Sequence, residues 1–259
     1  MFTASVLAFP LKIRVRLLNK KIGIIGDVHA EHERLALALN WLESQGVDTI
    51  ICTGDVADGQ GDIDATCDLL ARNNVLTVAG NHDRWLLTDK ARHVEHAHMR
   101  SAVSDSSLNF LQNLPKTLTV KTHHGDLLLC HGVIDDDLAK VWPGTATTEA
   151  KRSVPLDELL ARPSAETRFV VNGHMHFRTL IDFENCQVVN GGTLKGAYPG
   201  VTIIDLEVEE LCGFDFNADT GFLPTQSYSL KNVDARRVWS NTQEFDCKWT
   251  PVILHRPRT

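Results

Sequence analysis

A chain of 259 residues can bury the core of one large domain, or of one domain with an appendage. Its formal charge of −7 argues against a nucleic-acid-binding surface as its main business, and no run approaches the ~20 apolar residues of a membrane-spanning helix. Six cysteines, at 52, 67, 130, 186, 212 and 247, show no CxxC pairing, so a reducing, cytoplasmic setting without a disulfide framework is expected.

The first twenty residues contain a short apolar stretch whose basic residues follow rather than precede it, which is unlike a signal peptide. Within it LKIRVRLL alternates apolar and basic, so residues 1–20 read as an extension or an extra edge strand. A domain over residues 21–210 then opens with a repeated strand–motif–helix unit. After the strand KIGIIG, Leu35, Ala38, Leu39 and Leu42 fall on one helical face, Gly46 ends the helix, and Val47 to Thr53 forms the next strand. Ile63 to Arg72 predicts a second helix and Val75 to Ala79 a third strand. Crossovers of about 30 residues suit parallel βαβ units, which sets Asp27, Asp55 and Asn81 on the same edge of one sheet.

Residues 84–114 read as a helical cap or insert beside that edge, ending at Pro115. His93, His96 and His98 fall within it and are expected on a solvated helix face; His32, His123 and His124 are read as surface, turn or supporting residues. TLTVKTHHGDLLLCHG reads as a hairpin turning at His124-Gly125-Asp126. Pro143 to Pro163 reads as a loop with a short helix, followed by a strand over Arg168–Asn172. A second hairpin turns near Glu184-Asn185, and VTIIDLEVE is the last alternating strand. Residues 211–259 are turn-rich and weakly periodic, and are expected to be an extension packed on the domain.

Five short segments place metal-grade ligands at the ends of these apolar runs: Gly26-Asp27-Val28-His29, Gly54-Asp55-Val56-Ala57-Asp58, Gly80-Asn81-His82-Asp83, His131-Gly132 and Gly173-His174-Met175-His176. A strand end is rigid and the loop after it is open, so ligands placed there can converge. Two divalent cations about 3.5–4 Å apart need a bridging carboxylate with mixed oxygen and imidazole ligands. Asp27, His29, Asp55, Asn81, His131, His174 and His176 supply that set. It suits manganese, iron, zinc and nickel alike, with manganese or iron favoured.

These motifs resemble the pattern of the calcineurin-like metallophosphoesterase superfamily: D-x-H, G-D-x-x-D, G-N-H-[DE], H and G-H-x-H, over roughly residues 21–206. The resemblance implies a four-layered α/β/β/α sandwich. It further implies that Asp27, His29, Asp55 and His176 hold one metal, and that Asp55, Asn81, His131 and His174 hold the other, with Asp55 as the bridge. His82 matches the general acid and Asp83 the carboxylate that orients it, while Asn81 also reaches substrate. Arg84 follows directly and could contact the phosphate or form an ion pair at the helix start; Asp58 is read as a cap or an outer support of the site.

The implied reaction is hydrolysis of a phosphomonoester or phosphodiester by a metal-bridging hydroxide, with a phosphorylated small molecule or nucleotide as substrate. The second motif, GDVADGQGD, lacks the Arg of the superfamily's protein serine/threonine phosphatases. His29 stands where dinucleoside polyphosphate hydrolases typically carry Gln, and His82 where the lipid-A pathway hydrolases carry Arg. Asn190-Gly191-Gly192-Thr193 matches a segment of the compact bacterial phosphodiesterases and phosphatases, which are the most similar in motif style. The alternatives are a dinucleoside polyphosphate hydrolase, a protein phosphatase, or a non-catalytic assembly subunit on the same fold. Trp85 either anchors its helix or offers a stacking surface at the mouth of the site.

Overall fold

The computed structural model describes residues 18–162, 166–231, 233 and 235–256. The extension expected over residues 1–20 lies, up to residue 17, outside them. The first sheet grows from β1 (Lys21–Ile25), which pairs in parallel with β2 (Thr49–Cys52), and β2 in parallel with β3 (Leu76–Thr77). The crossovers are α1 (His32–Ser44) and α2 (Ile63–Arg72), and α3 (Asn81–Leu87) starts four residues after β3. α1 buries Leu35, Ala38, Leu39 and Leu42, the face that the spacing marks. Asp62 caps α2 through its carboxylate, which accepts from the amides of Asp64 and Ala65.

α4 (Asp105–Gln112) leads to the second sheet, where β4 (Thr117–Thr122) and β5 (Gly125–Cys130) form the expected hairpin. After α5 (Val154–Leu160), β6 (Thr167–Asn172) joins β5 in parallel, and β7 (Arg178–Phe183) and β8 (Gln187–Gly191) make the second hairpin. The chain then returns to the first sheet with β9 (Gly200–Asp205), antiparallel to β1, followed by β10 (Glu210–Asn217) and β11 (Gly221–Ser229). β12 (Val238–Trp239) and β13 (Val252–Ile253) both add to β7. The strand orders are β11-β10-β9-β1-β2-β3 and β12-β7-β8-β6-β5-β4.

Three apolar layers hold this together, as the α/β/β/α sandwich requires. Ile22, Ile24 and Ile51 of the first sheet, with Val78 just past β3, meet Leu127, Leu129, Phe169 and Val189 of the second. Outside the first sheet, Ile25, Cys52 and Ile203 lie under Leu35, Leu42, Leu70, Leu86 and Leu111 of the four helices. Outside the second, Val170, Ile181 and Val188 are covered by Leu156 and Leu159 of α5 together with Trp239, Phe245 and Trp249. Cys52, Cys67, Cys130 and Cys186 are buried thiols in these layers, and burial pushes each up, that of Cys130 to about 12. Among the described residues no helix is long and apolar enough to cross a membrane.

Two expectations are corrected. The span 84–114 is helical only at its ends, in α3 and α4, with a single 3-10 turn at Arg100–Ala102 between them. Asp89, Ala91 and His96 take left-handed φ values of 52°, 51° and 57°, which no helix accommodates. α4 packs into the helical layer through Leu111 rather than standing over the site. Past residue 210 the chain is not irregular: β10 and β11 are eight and nine residues long. β11 is an edge strand in which Phe222 is the one buried side chain, and Pro224 is tolerated there because an edge leaves some amides unpaired.

Candidate metal centre

Asp27 lies two residues after β1, Asp55 three after β2, and Asn81 opens α3 after β3; His131 follows β5 directly, and His174 and His176 follow β6. Both sheets therefore deliver side chains at the C-terminal ends of parallel strands, where open α/β sheets hold ligands. The loops are bent tightly to do so. His29, Asp55, His174 and His176 sit at φ values of 47°, 44°, 65° and 60°. Such backbone costs about 1–3 kcal/mol per residue and persists where surrounding structure enforces it. Gly80 and Gly173 permit close approaches to the two carboxylates: a Cβ at Gly80 would lie 2.2 Å from Asp55 Oδ1, and one at Gly173 2.0 Å from Asp27 Oδ1.

Asp27, His29, Asp55, Asn81 and His131 are each at most 1% exposed, and His174 and His176 are half-buried. Asp27, His29, Asp55 and His176 offer one ligand atom each, all within 4.8 Å of one another, and Asp55, His131 and His174 form a second such group. Asp55 belongs to both. The amide oxygen of Asn81 lies 3.0 Å from His131 Nε2, beside the second group. Backbone contacts orient the rings. His29 Nδ1 lies 2.8 Å from the Asp58 carbonyl and His131 Nδ1 2.8 Å from the Thr53 carbonyl, so each ring turns Nε2 to the centre. Asp27 Oδ1 accepts from the Thr53 hydroxyl at 2.8 Å, and its Oδ2 from the His174 amide at 2.7 Å. Asn190 donates to the Gly173 carbonyl, and the Thr193 hydroxyl donates to the Asp27 carbonyl at 2.7 Å. The Asn190–Thr193 segment thus ties two of the ligand loops together.

The electrostatics fit cations. Burial pushes His29 down to about 4, which keeps its imidazole neutral and able to ligate. Burial alone would raise Asp55, but His131 and His29 outweigh it and hold the carboxyl below its ordinary range. Burial would likewise lower His131, and Asp55 and Asp27 raise it instead. Among the described residues no Lys or Arg pairs with Asp27 or Asp55; the rings beside them are those of His29, His131 and His176. Two buried carboxylates therefore draw positive charge onto imidazoles, which is the charge that divalent cations supply on deprotonated ligands.

The match to a family model settles the kinship: residues 21–210 fit the calcineurin-like phosphoesterase superfamily domain. The chain belongs to this superfamily. An uncharacterized protein of Methanocaldococcus jannaschii is 26% identical over 106 residues, covering 38% of this chain and 44% of that protein's length. Among solved structures, a metallophosphoesterase from Sphaerobacter thermophilus matches with TM-score 0.53 at 18% identity, covering 80% of this chain and 89% of that one. A hypothetical protein from Pyrococcus horikoshii OT3 matches with TM-score 0.60 at 12% identity, covering 77% and 89%. At these identities the structures share the sandwich fold of calcineurin-like phosphoesterases.

The surroundings of His82 differ from the expectation in one respect. The carboxylate on its Nδ1 is Asp58, at 2.8 Å, and not Asp83. Adjacent residues on a helix do not face each other, and Asp83 turns inward to accept from the amides of Gly80 and Ala57, both at 2.9 Å. Burial, followed by Asp55, pushes Asp83 up to about 7, and those two amides work against the rise. Arg84 forks onto Asp137 at 2.6 and 2.7 Å, an ion pair that takes up its Nε and Nη2. Trp85 is half-buried with its ring 4.7 Å from that of His82.

The sequence sets His98 on a solvated helix face and Arg92 among the cationic groups at the mouth, and does not foretell that both meet Asp58. Arg92 grips both Asp58 oxygens at 2.9 Å, and the His98 amide donates to Asp58 Oδ1 at 3.0 Å. The Asp58 amide donates to His98 Nδ1 at 3.0 Å. With His82, fully buried Asp58 accepts from four donor atoms, and the strap of residues 88–99 is held by it. His93 and His96 make no such contact, although His96 Nε2 lies 3.1 Å from the Gln60 amide nitrogen. Arg92→Ala is expected to leave a buried carboxylate without its cation and to cost on the order of 3 kcal/mol. Urea unfolding measures this, and a loss below about 0.5 kcal/mol would show that the strap does not depend on Asp58.

Proposed function

We propose that this chain is a metal-dependent phosphoesterase that holds two divalent cations, hydrolyses phosphate esters and uses His82 as general acid. The observation that carries the reading is the position of Asp55 in both ligand groups, four residues on one side and three on the other. Asp27, His29, Asp55 and His176 would hold one cation, and Asp55, Asn81, His131 and His174 the other. Bound there, the cations would neutralise phosphate charge and make water nucleophilic near neutral pH. The protein's own part is positional. Asp58 holds Nδ1 of His82, so Nε2 can give its proton to the departing oxygen, and the buried Asp58–Arg92 pair keeps the ring from turning. The amide of His82 donates to Asp55 Oδ1 at 2.8 Å, tying the acid to the shared carboxylate.

The experiment is hydrolysis of p-nitrophenyl phosphate and bis-p-nitrophenyl phosphate by chelator-stripped protein, resupplied in turn with Mn²⁺, Fe²⁺, Zn²⁺ and Ni²⁺. Activity that appears only with added metal supports the reading. Protein that binds metal and turns over neither ester under any of the four would overturn it in favour of a non-catalytic subunit. Substitution separates the two carboxylates near His82. Asp58→Asn is expected to lower turnover while metal content stays full, whereas Asp83→Asn is expected to act first on thermal stability, since its oxygens hold backbone amides.

A further inference from the structure

Four rings run in contact through the centre. Trp85 lies 4.7 Å from His82, His82 lies 4.9 Å from His29, and His29 lies 4.9 Å from His176. Phe177 follows His176 directly in sequence and begins a second aromatic group. Its ring is 6.0 Å from Tyr198 and 5.8 Å from His255, and Tyr198 stacks on His255 at 4.3 Å and 26°. His82 and His176 are thus the ring neighbours of His29, and Phe177, one residue on from His176, starts the second aromatic group.

The Phe177 group is joined to the centre through the loop that carries Tyr198. Tyr198 sits on the loop that starts at Thr193, whose hydroxyl donates to the Asp27 carbonyl; the Leu194 amide donates to the same oxygen at 2.9 Å. His255 is 3% exposed and forms a fixed floor under Tyr198. Phe177, by contrast, is 43% exposed, and it is the aromatic residue among the exposed large hydrophobic side chains described. The side chain of His176 beside it is 40% exposed, so this flank of the centre opens to solvent. Lys195, on the same loop, makes no ion pair among the described residues, and its charge acts on His176. A single exposed apolar side chain is ordinary on a protein surface. An exposed ring backed by a stack, one residue from a candidate metal ligand and on the side of the chain where Lys195 has no ion pair among the described residues, offers a surface that suits a planar group attached to a phosphate.

A monoester has one organic arm, and general acid catalysis requires that arm to leave on the His82 side. A second organic arm belongs to a diester. We propose that the centre takes phosphodiesters, with the leaving arm toward His82 and Trp85 and an aromatic retained arm on Phe177 and Tyr198. This rests on the phosphoesterase reading. Water attacks phosphorus, the bond to the leaving oxygen breaks, His82 supplies that oxygen's proton, and the retained arm departs later as the phosphomonoester.

The test compares two diesters with the same leaving group, bis-p-nitrophenyl phosphate and methyl p-nitrophenyl phosphate, on the metal-loaded protein. Base–aromatic stacking effects on alanine substitution convert to an expected KM rise on the order of tenfold for the bis-aryl ester in Phe177→Ala. The methyl ester should change by less than about twofold, and Phe177→Leu should fall between for the bis-aryl ester. Equal losses on both esters, or no loss on either, would overturn the inference. Calorimetric binding of diphenyl phosphate and dimethyl phosphate to the same variants gives a readout without turnover. If the wild-type protein hydrolyses neither ester but binds diphenyl phosphate through Phe177, the catalytic reading falls and the aromatic site stands. If it hydrolyses both and Phe177→Ala discriminates neither in rate nor in binding, the aromatic site falls alone.

Discussion

Asp55→Asn is expected to abolish metal-dependent hydrolysis and to lower metal content more than a change at any other ligand. The substitution keeps size and leaves one oxygen to accept from the His82 amide, so the fold has little reason to fail. What it removes is a buried negative charge shared by two ligand groups. Replacing His29 or His174 would take one donor from one cation, whereas replacing Asp55 weakens attraction to both. The same change should appear without metal. In the apo protein Asp55 is the leading charge that raises His131, so in Asp55→Asn the titration of His131 should move toward lower pH, read by NMR. Elemental analysis showing about two equivalents of metal in the variant would rule out the shared role. An unchanged His131 titration would show that Asp27 alone supplies its countercharge.

How much of this was legible in the sequence depended on whether the information lay along one strand. Asp27, Asp55, Asn81, His131 and His174 each continue or closely follow an apolar run that becomes a strand, and strand period with crossover length placed Asp27, Asp55 and Asn81 on one sheet edge before any contact was known. The face of α1 was readable for the same reason: Leu35, Ala38, Leu39 and Leu42 carry the helical period, and all four are buried. Contacts through space were not readable. Asp58 meets His82 across 24 residues and Arg92 across 34, and nothing local in either segment announces the other. Asp83 looked like the partner because it is adjacent, although helical geometry turns neighbouring side chains apart. The strap at 88–99 carried a histidine-rich pattern compatible with a helix. Its course is instead decided by a buried carboxylate drawing Arg92 and the His98 amide inward. β11 was hidden by its edge position, since a strand with one buried side chain and an internal proline shows little alternation.

His82→Ala is the second large effect expected, and its size should depend on the leaving group. The variant should bind metal fully, because the His82 side chain is in neither ligand group. General acid catalysis contributes about 10²–10⁴-fold, so turnover of an ester with a poorly acidic alcohol should fall within that range. A nitrophenolate leaves without needing a proton, and its loss should be small. Plotting log kcat against leaving-group pKa would therefore steepen in the variant. Asp58→Asn should steepen it less, because the neutral amide can still hold the ring by accepting from Nδ1 but no longer stabilises a protonated imidazole. The Arg92 contacts sharpen the comparison. Asp58 accepts from Arg92 as well as from His82, so Arg92→Lys, which keeps charge but loses the fork, should leave the slope nearly unchanged while lowering thermal stability. Parallel lines for the wild-type protein and His82→Ala would overturn the assignment, since a ring that binds phosphoryl oxygens instead would affect every leaving group equally.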